Sequence, residues 1–531
     1  MKSYIIPIIL LLLVTACNDD SENPKKNIEG ESKPLNIIYI MADDHAYQAI
    51  SAYGSEISRL APTPNIDRIA KDGALMDAVF CTNSICGPSR SAILTGNFSH
   101  VNGFYKNVNG GDFNGEQMTF PKIFQQNGYQ TAVVGKWHLG TTPTGFDYSK
   151  VLVNWGGQGT YFNPQFCING KDTVVETKRH STKVIEDDCI DWLSSRDPNK
   201  PFMLLYQFKA PHRDWRPDSI YHNLFTDFDF PLPETFNDDY KGRLAASENM
   251  MEIGNHLNRR DMKQIAPVGL SRRDSLRWLA YGDQGQFWTP NDTLQGEDLT
   301  YWKYQTYIKD YLRCIAGVDR AVGRLLDYLD ENGLSDNTLI VYTSDQGFYL
   351  GEHGWFDKRW MYEESFKMPF LIKYPKHIEA GTVSKELIMN IDFGPTLLDF
   401  AGLKIPSSMQ GKSFKSTFNG NGIGRDAVYY HYYEYPKWHK VQPHYGIRTD
   451  RYKLIHFYYS MDKWELYDLK NDPNEMSNIY AEAPEELIQR LKSKLAKLKT
   501  EYKDDGSVEE MKAMTDTVIS RVYNEPSKHL K

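Results

Sequence analysis

A short stretch around Cys86 contains residue types that could perform chemistry. Cys86 comes three residues before Ser89 and four before Arg90, and Pro88 fixes the backbone between them. A cysteine at the start of a helix, with a guanidinium about one turn further on, is a small nucleophile beside a group that can hold an anion. The same residues are compatible with a buried structural cysteine beside a Pro-Ser turn, which is the more common role of a single cysteine.

Polar residues follow four of the predicted β-strands. These strands are Asn36–Met41 before Asp43 and Asp44, Thr131–Val134 before Lys136 and His138, Phe202–Phe208 before Lys209 and His212, and Thr338–Thr343 before Asp345 and Gln346. A fifth strand, Phe370–Lys373, is followed by no obvious catalytic residue. Because sites in open α/β sheets lie outside the carboxyl ends of the strands, we expect the polar side chains to converge.

The carboxylates of this set favour a metal site. Asp43 and Asp44 by themselves fit either a solvated turn or a site for a hard cation. Asp345 and the carbonyl of Gln346 extend the set to three carboxylates and one amide. Donors that are all oxygen suit Ca²⁺ or Mg²⁺ and do not suit zinc. A single histidine near a strand end is more often structural than catalytic, so the residues alone leave His138 and His212 undecided.

The motifs, taken together, resemble those of type I sulfatases. Residues 86–96 match the pattern C-x-P-S-R-x-x-x-L-T-G at every fixed position. Gly-Lys-x-His at 135–138, Pro-His at 211–212, Asp-Gln-Gly at 345–347 and Asp-Lys at 357–358 follow in the order expected for that family. The resemblance therefore covers almost the whole chain after the first 34 residues. Gln346 departs from many members, which have Asn there, and it is the metal ligand with the weakest support.

The resemblance implies a cofactor, a modification and a role for each residue. A maturase, the formylglycine-generating enzyme, would oxidise Cys86 to formylglycine, whose hydrated aldehyde is the nucleophile. Ca²⁺, or alternatively Mg²⁺, would bind residue 86 together with the remaining ligands, which are Asp43, Asp44, Asp345 and Gln346. Arg90, Lys136 and Lys358 would stabilise the sulfuryl oxygens. His212 would protonate the leaving oxygen as general acid, and His138 would act as base in the second step.

The alternation of β-like and helical segments from Leu35 onward predicts an α/β fold. The chain would form a large, mainly parallel sheet sandwiched by helices, and the resemblance implies an alkaline-phosphatase-like architecture. A stripe of apolar residues between Ile308 and Leu329 predicts one long core helix. We place a catalytic domain at 35–420. Short aromatic strands and the helix Glu485–Tyr502 predict a smaller antiparallel α+β subdomain at 425–531.

The N-terminal residues predict export. Residues 5–14 are continuously apolar and too few to span a bilayer as a helix, so 1–16 is interpreted as a signal peptide. Thr15-Ala16-Cys17 resembles the lipobox of bacterial lipoproteins. This resemblance implies that Cys17 is acylated and that the protein is attached to the membrane through the lipid alone. Residues 17–34 form a polar tether. We expect an exported lipoprotein of the outer membrane, facing the periplasm or the cell surface; an ordinary signal peptide is the alternative.

Composition excludes some partner classes. The net charge of −8 argues against nucleic acid and against an anionic membrane surface as partner. Aromatic residues reach 13%, with 34 Tyr and 11 Trp, and side chains of this kind suit sugar faces where they meet solvent. Besides Cys17 and Cys86, the four remaining cysteines, at 81, 167, 189 and 314, have no close spacing, so we expect neither a disulfide framework nor a zinc site.

The expected partner is a sulfated oligosaccharide. Residues 344–365, 432–436 and 444–448 look most like those of bacterial N-acetylglucosamine-6-sulfatases. The resemblance implies exo-acting removal of a 6-O-sulfate from a mucin, heparan or keratan type of glycan, with an exposed His444 contacting sugar hydroxyls. Residues 245–299 match no motif, and we expect them to be a family-specific insertion that shapes the rim. Open alternatives are another sulfated sugar (6-sulfated galactose or N-acetylgalactosamine, or 2-sulfated uronic acid), a phosphoester or phosphonate, and glycan binding without catalysis.

Overall fold

The strand that follows Leu35 lies at the centre of the main sheet in a computed structural model of the chain. The structure describes Met1 and residues 33–107, 113–266, 268–281, 294–436 and 438–524. The predicted signal peptide, Cys17 and nearly all of the predicted tether lie outside these residues. By its internal contacts, Pro34–Lys531 forms one compact unit. No helix among the described residues has the length and apolar character needed to cross a bilayer.

The strands, in chain order, are Asn36–Ala42 (β1), Ala74–Met76 (β2), Val79–Phe80 (β3), Gln130–Gly135 (β4), Tyr148–Leu152 (β5), Gln165–Ile168 (β6), Asp172–Val175 (β7), Phe202–Phe208 (β8), Thr338–Ser344 (β9), Tyr349–Leu350 (β10), Phe356–Asp357 (β11), Phe370–Lys373 (β12), Thr382–Ser384 (β13), Ile388–Met389 (β14), Ala427–Tyr432 (β15), His444–Thr449 (β16), Tyr452–Phe457 (β17) and Lys463–Asp468 (β18). The α-helices are Glu56–Leu60 (α1), Pro64–Lys71 (α2), Cys86–Thr95 (α3), Ser99–Asn102 (α4), Phe120–Gln126 (α5), Ser181–Ser195 (α6), Leu244–Ser247 (α7), Ile253–His256 (α8), Arg272–Tyr281 (α9), Gly296–Glu331 (α10), Glu363–Phe366 (α11), Phe393–Phe400 (α12), Glu485–Glu501 (α13) and Val508–Asn524 (α14).

Ten strands form the main sheet, in the order β13-β2-β12-β9-β1-β8-β4-β5-β6-β7. The five central strands from β9 to β5 are parallel, whereas β12 and β6 run against their neighbours. This mixed but mainly parallel sheet confirms the predicted fold class. The reversal of β12 also explains why no functional residue follows Lys373, because the carboxyl end of that strand lies at the opposite edge.

Alternate residues of β1 enter two separate cores. Ile37 and Tyr39 pack with helices α3, α5 and α12, while Ile38 and Ile40 pack on the other face with α2, α6 and α10. A strand buried on both faces is apolar at consecutive positions, as β1 is. Helix α10 contains the predicted apolar stripe, and it ends beside Gly333, whose φ of 63° suits a position that follows a helix.

The C-terminal strands β15-β16-β17-β18 form a separate antiparallel sheet, as the sequence predicts. Helix α13 buries Ile488, Leu491, Leu495 and Leu498 in the same core that covers one face of the main sheet. The predicted domain boundary between 420 and 425 stays a prediction, and β15 begins at Ala427.

Candidate active site

The carboxyl ends of four adjacent strands bring the predicted site residues together. Strands β9, β1, β8 and β4 are neighbours in the sheet, and each is followed by polar residues identified in the sequence. Helix α3 begins at Cys86 and contributes Arg90. Gly135 is needed where β4 meets β8: its φ is 113°, and a Cβ there would lie 1.7 Å from the Gln207 carbonyl oxygen. The glycine of the Gly-Lys-x-His motif therefore allows the chain to place Lys136.

Arg90 connects two of the carboxylates. Its Nε donates to Asp345 Oδ2 at 3.0 Å, and its Nη2 donates to Asp43 Oδ1 at 3.3 Å. Its Nη1 donates to the Lys136 carbonyl at 2.7 Å and to Gln207 Oε1 at 3.0 Å. All these side chains are buried. A planar guanidinium can satisfy several acceptors at fixed angles, so Arg90 holds the two aspartates in position.

Two lysines carry the positive charge nearest the aspartates. Lys358 Nζ lies 2.6 Å from each carboxylate oxygen of Asp44, and Lys136 Nζ contacts Asp43 directly. Burial opposes the ionised form of Asp43, but Lys136 and Arg90 outweigh it and lower the pKa of that carboxyl. Burial raises the pKa of Asp44, although Lys358 opposes the increase.

The residues present fit a divalent cation. Ligand atoms of Asp43, Cys86 and Asp345 all lie within 4.8 Å of one another, as do those of Asp44, Cys86 and His212. Gln346 donates its Nε2 to Asp44, while its buried Oε1 has no partner among the described residues. A buried carbonyl oxygen without a donor is costly unless a cation binds it. Three carboxylates and one free amide oxygen form the hard donor set of Ca²⁺ or Mg²⁺.

Cys86 lies inside this set. Its Sγ is 3.8 Å from Asp44 Oδ1, and the residue is completely buried. Burial raises the pKa of the thiol, although Lys358 and Lys136 oppose the increase, so the unmodified side chain is a neutral thiol at pH 7. A neutral, buried thiol is a poor nucleophile. The described part of the chain otherwise contains free cysteines at 81, 167, 189 and 314.

Each of the two histidines is influenced by the cations of the site. His212 Nε2 is 3.7 Å from Asp44 Oδ2, and its Nδ1 pairs with the Arg213 carbonyl at 2.6 Å. His138 has a left-handed backbone, with φ of 56°, and its buried Nδ1 has no partner among the described residues. Burial and the neighbouring Lys136 lower the pKa of both rings.

The expectation that His444 is exposed is wrong. Its side chain is fully buried at the start of β16, and its Nδ1 pairs with the Gln442 carbonyl at 2.7 Å. Its ring lies among those of Trp360, Tyr430, Tyr432 and Phe457, at centroid distances of 5.1 to 5.7 Å. The aromatic residues that suggested a sugar-binding loop form the core around it. The sequence could not show this, because the packing joins residues distant in the chain.

Sequence reasoning also missed a charged cluster beside Lys358. Arg359 lies 3.7 Å from Asp357 and 3.6 Å from Glu434, while Asp357 also contacts His439 at 3.2 Å. Asp357 and Arg359 have φ values of 79° and 99°, a region that bulky residues rarely adopt. Arg359 Nε and Nη1 and Glu434 Oε1 are buried without hydrogen-bond partners among the described residues. The consecutive charges Asp-Lys-Arg at 357–359 were the available signal.

Comparison with known proteins decides the family. The sulfatase family model matches residues 35–403, and the model of the C-terminal region of N-sulphoglucosamine sulphohydrolase matches 351–501. The chain belongs to the sulfatase family. Members of this family are sulfuric ester hydrolases that generally use formylglycine and a divalent metal, so this chain is a sulfuric ester hydrolase.

Individual relatives resemble the sulfatase over most of its length. An N-acetylglucosamine-6-O-sulfatase from Bacteroides thetaiotaomicron is 45% identical over 95% of this chain and 92% of the relative. An arylsulfatase from Clostridium perfringens is 26% identical over 91% of this chain and 98% of the relative. The solved structure of BT4656 with its substrate D-glucosamine-2-N,6-O-disulfate matches with a TM-score of 0.83 and 46% identity, over 90% of this chain and all of that one.

Proposed function

We propose that this sulfatase removes the 6-O-sulfate from a glucosamine or N-acetylglucosamine residue at the end of a sulfated glycan. The observation that carries the substrate assignment is the 45% identity, over 95% of the chain, to an N-acetylglucosamine-6-O-sulfatase. The similar solved structure contains a glucosamine that carries a 6-O-sulfate. The site geometry supplies the matching chemistry, namely cations around a buried carboxylate set and two histidines beside it.

We assign Asp43, Asp44, Asp345 and Gln346, together with residue 86, to a Ca²⁺ ion. When bound, the cation would neutralise sulfate oxygens and acidify a hydroxyl group of residue 86. Oxidation of Cys86 to formylglycine by a maturase supplies the nucleophile that the buried thiol does not. The requirement for Ca²⁺ rather than Mg²⁺ is part of the proposal, since both prefer oxygen donors.

The remaining catalytic roles are assigned to charged and titratable side chains of the protein. Lys136, Lys358 and Arg90 present positive charge to the sulfate, which favours a transition state in which charge moves onto its oxygens. His212 lies at the edge of the carboxylate set and donates a proton to the departing sugar oxygen. His138 Nδ1, which is buried without a partner among the described residues, accepts a proton when the sulfate leaves residue 86. The neutral His212 ring of the substrate-free protein would gain the proton that it donates when the anionic ester offsets Lys136, whereas His138 must stay neutral until it acts as base.

The sugar would bind at the charged cluster of Asp357, Arg359, Glu434 and His439. Arg359 Nε and Nη1 and Glu434 Oε1 take part in ion pairs at 3.6–3.7 Å but have no hydrogen bond among the described residues, and sugar hydroxyls can both donate and accept. The cluster adjoins the reactive centre on two sides. On one side, Lys358 lies between Asp357 and Arg359 in the chain and contacts Asp44. On the other side, Glu434 Oε2 accepts from the Asn107 backbone amide at 2.9 Å, and Asn107 Oδ1 accepts from the amide of Gly87, the residue after Cys86, at 2.9 Å.

The deciding experiment measures free sulfate released from N-acetylglucosamine 6-sulfate, galactose 6-sulfate and N-acetylgalactosamine 6-sulfate. The protein is produced with a formylglycine-generating enzyme and assayed with Ca²⁺ or Mg²⁺, and mass spectrometry of the peptide that contains residue 86 confirms the aldehyde. We expect preference for the glucosamine ester. Equal or better cleavage of either galactose ester would reject the substrate, and faster cleavage of a matched phosphate ester would reject the reaction.

We further propose that Cys17 is acylated and anchors the enzyme to the outer membrane, on the periplasmic face or the cell surface. The lipobox-like Thr15-Ala16-Cys17 after an apolar run supports this location. Replacement of Cys17 by Ser should move the protein from the membrane fraction to the soluble exported fraction. Retention in the membrane fraction after that change would contradict a lipid anchor at this residue.

A further inference from the structure

Trp438 is an exposed indole next to a fully anchored histidine. Its side chain is 60% exposed, whereas that of His439 is 4% exposed. Trp438 is the most exposed aromatic residue among those that the structure describes, and an indole combines a large apolar face with a polar N–H. Trp438 also has a φ of 73°, which is unusual for a bulky residue. A strained residue that presents an apolar ring to solvent is a candidate for a functional role.

The chain on both sides of Trp438 is fixed to the body of the protein. Tyr435 packs its ring against Tyr459 at 5.4 Å. His439 Nδ1 pairs with the Met250 carbonyl at 2.8 Å, and the Met250 amide donates back to the His439 carbonyl at 2.8 Å. Tyr435 and His439 therefore anchor the chain before and after the indole.

The anchor of this loop is part of the proposed sugar-binding cluster. His439 Nε2 lies 3.2 Å from Asp357, which precedes Lys358, and Lys358 Nζ contacts Asp44 at 2.6 Å. Trp438 is thus one residue removed from the cluster that would hold the sugar carrying the sulfate. Met250, which is paired with His439 through its backbone, has a half-exposed side chain beside the loop. Two exposed apolar residues, Trp438 and Met250, are thus connected to the polar cluster through His439.

We propose that Trp438 forms a second sugar subsite, on which the residue linked to the sulfated terminal sugar stacks its C–H face. This inference rests on the proposed function, because it requires a glycan whose end enters the site. A pyranose ring presents polar hydroxyls at its edge and C–H groups on its face. The C–H face would contact the Trp438 indole, and the hydroxyls suit charged groups such as those of the cluster. The subsite would give the enzyme a preference for oligosaccharides over the free monosaccharide.

The test compares two substrates that have the same terminal sugar. Wild type and Trp438→Ala are assayed on N-acetylglucosamine 6-sulfate and on a disaccharide with that sugar at its non-reducing end. Aromatic contacts contribute about 0.5–1.5 kcal/mol, so we expect KM for the disaccharide to rise roughly three- to tenfold with kcat unchanged. Both constants for the monosaccharide should stay as in wild type. Trp438→Phe should retain part of the preference.

The matched control is Tyr301→Ala, which removes another exposed aromatic ring, 40% exposed, from the start of helix α10. Tyr301→Ala should leave kcat and KM unchanged for both substrates. An equal loss on both substrates would mean that Trp438 acts by holding His439 and Asp357, and it would overturn the subsite. Unchanged KM for the disaccharide would overturn it as well.

A binding measurement separates the subsite from the proposed function. Saturation-transfer NMR of the disaccharide with the Cys86→Ala protein should show transfer to protons of the second ring, and Trp438→Ala in that background should remove it. Failure of wild type to cleave either ester, with this transfer present, would reject the proposed reaction alone. Transfer confined to the first ring, or absent from both rings, would reject the subsite.

Discussion

Replacement of Arg90 by Lys keeps the charge at the centre of the site and removes the planar group that joins its two sides. Arg90 donates from three different nitrogens to Asp345, Asp43, Gln207 and the Lys136 carbonyl, at 2.7 to 3.3 Å. A lysine ammonium has its donors on one atom and cannot reach both carboxylates. At least two of the four contacts are lost. Asp43 keeps Lys136 as a partner, whereas Asp345, if it loses Arg90, stays buried without the cation that pairs with it.

The magnitude follows from these contacts. A hydrogen bond to a charged group contributes about 1.5–3 kcal/mol, and breaking a buried ion pair costs about 3–5 kcal/mol. We therefore expect Arg90→Lys to lower the free energy of unfolding by about 4 kcal/mol. Arg68 offers a matched control, because it also pairs with two aspartates, Asp327 at 2.7 Å and Asp330 at 3.3 Å, but is 32% exposed. Arg68→Lys should cost less than about 1 kcal/mol.

The assay is thermal and denaturant unfolding of wild type and both variants, first in EDTA and then in Ca²⁺, with sulfate release measured in parallel. In EDTA the difference between the two variants should be largest, since a cation bound to Asp43 and Asp345 would replace part of the lost charge balance. Arg90→Lys should also lower kcat. A loss of stability in EDTA no greater than that of Arg68→Lys would refute the reasoning that Arg90 holds the carboxylates.

Three further outcomes are expected. Cys86→Ala should abolish sulfate release while the unfolding temperature changes little; substantial residual release would contradict the nucleophile. His212→Ala should lower kcat on the sugar ester by roughly 10² to 10⁴ and affect an aryl sulfate, which needs no acid, much less; equal losses on both esters would argue against a proton donor. Burial raises the pKa of Glu465 to about 7, so its contribution to stability is complete below pH 4.5 and is lost as the pH rises to 7. Glu465→Gln can still accept hydrogen bonds from Tyr362 and Tyr467, and it should remove this pH-dependent loss of stability. The melting temperature of the variant minus that of wild type should therefore increase between pH 4.5 and 7.5. A difference that stays constant over this range would contradict the raised pKa of Glu465.

The sequence determined the reactive residues because their motifs are local. Residues 86–95 fold into one helix that begins at the cysteine, so a single helical turn separates residue 86 from the Arg90 guanidinium. Strands such as Phe202–Phe208 and Phe370–Lys373 have the predicted bounds because apolar β-rich runs end at polar or turn residues. Parallel strands that end in polar residues also predicted, correctly, that these residues meet at one edge.

Only the tertiary structure decided the environment of each residue. The burial of His444 depends on Trp360 and Phe457, and the charges around Arg359 come from β11 and the loop after β15, which are distant in the chain. The same holds for Trp438, whose exposure depends on what the loop beside it contacts. Side-chain type and spacing can specify what chemistry a residue is able to do. Whether that residue faces core, substrate or solvent is set by packing between segments, a long-range property that no local pattern contains.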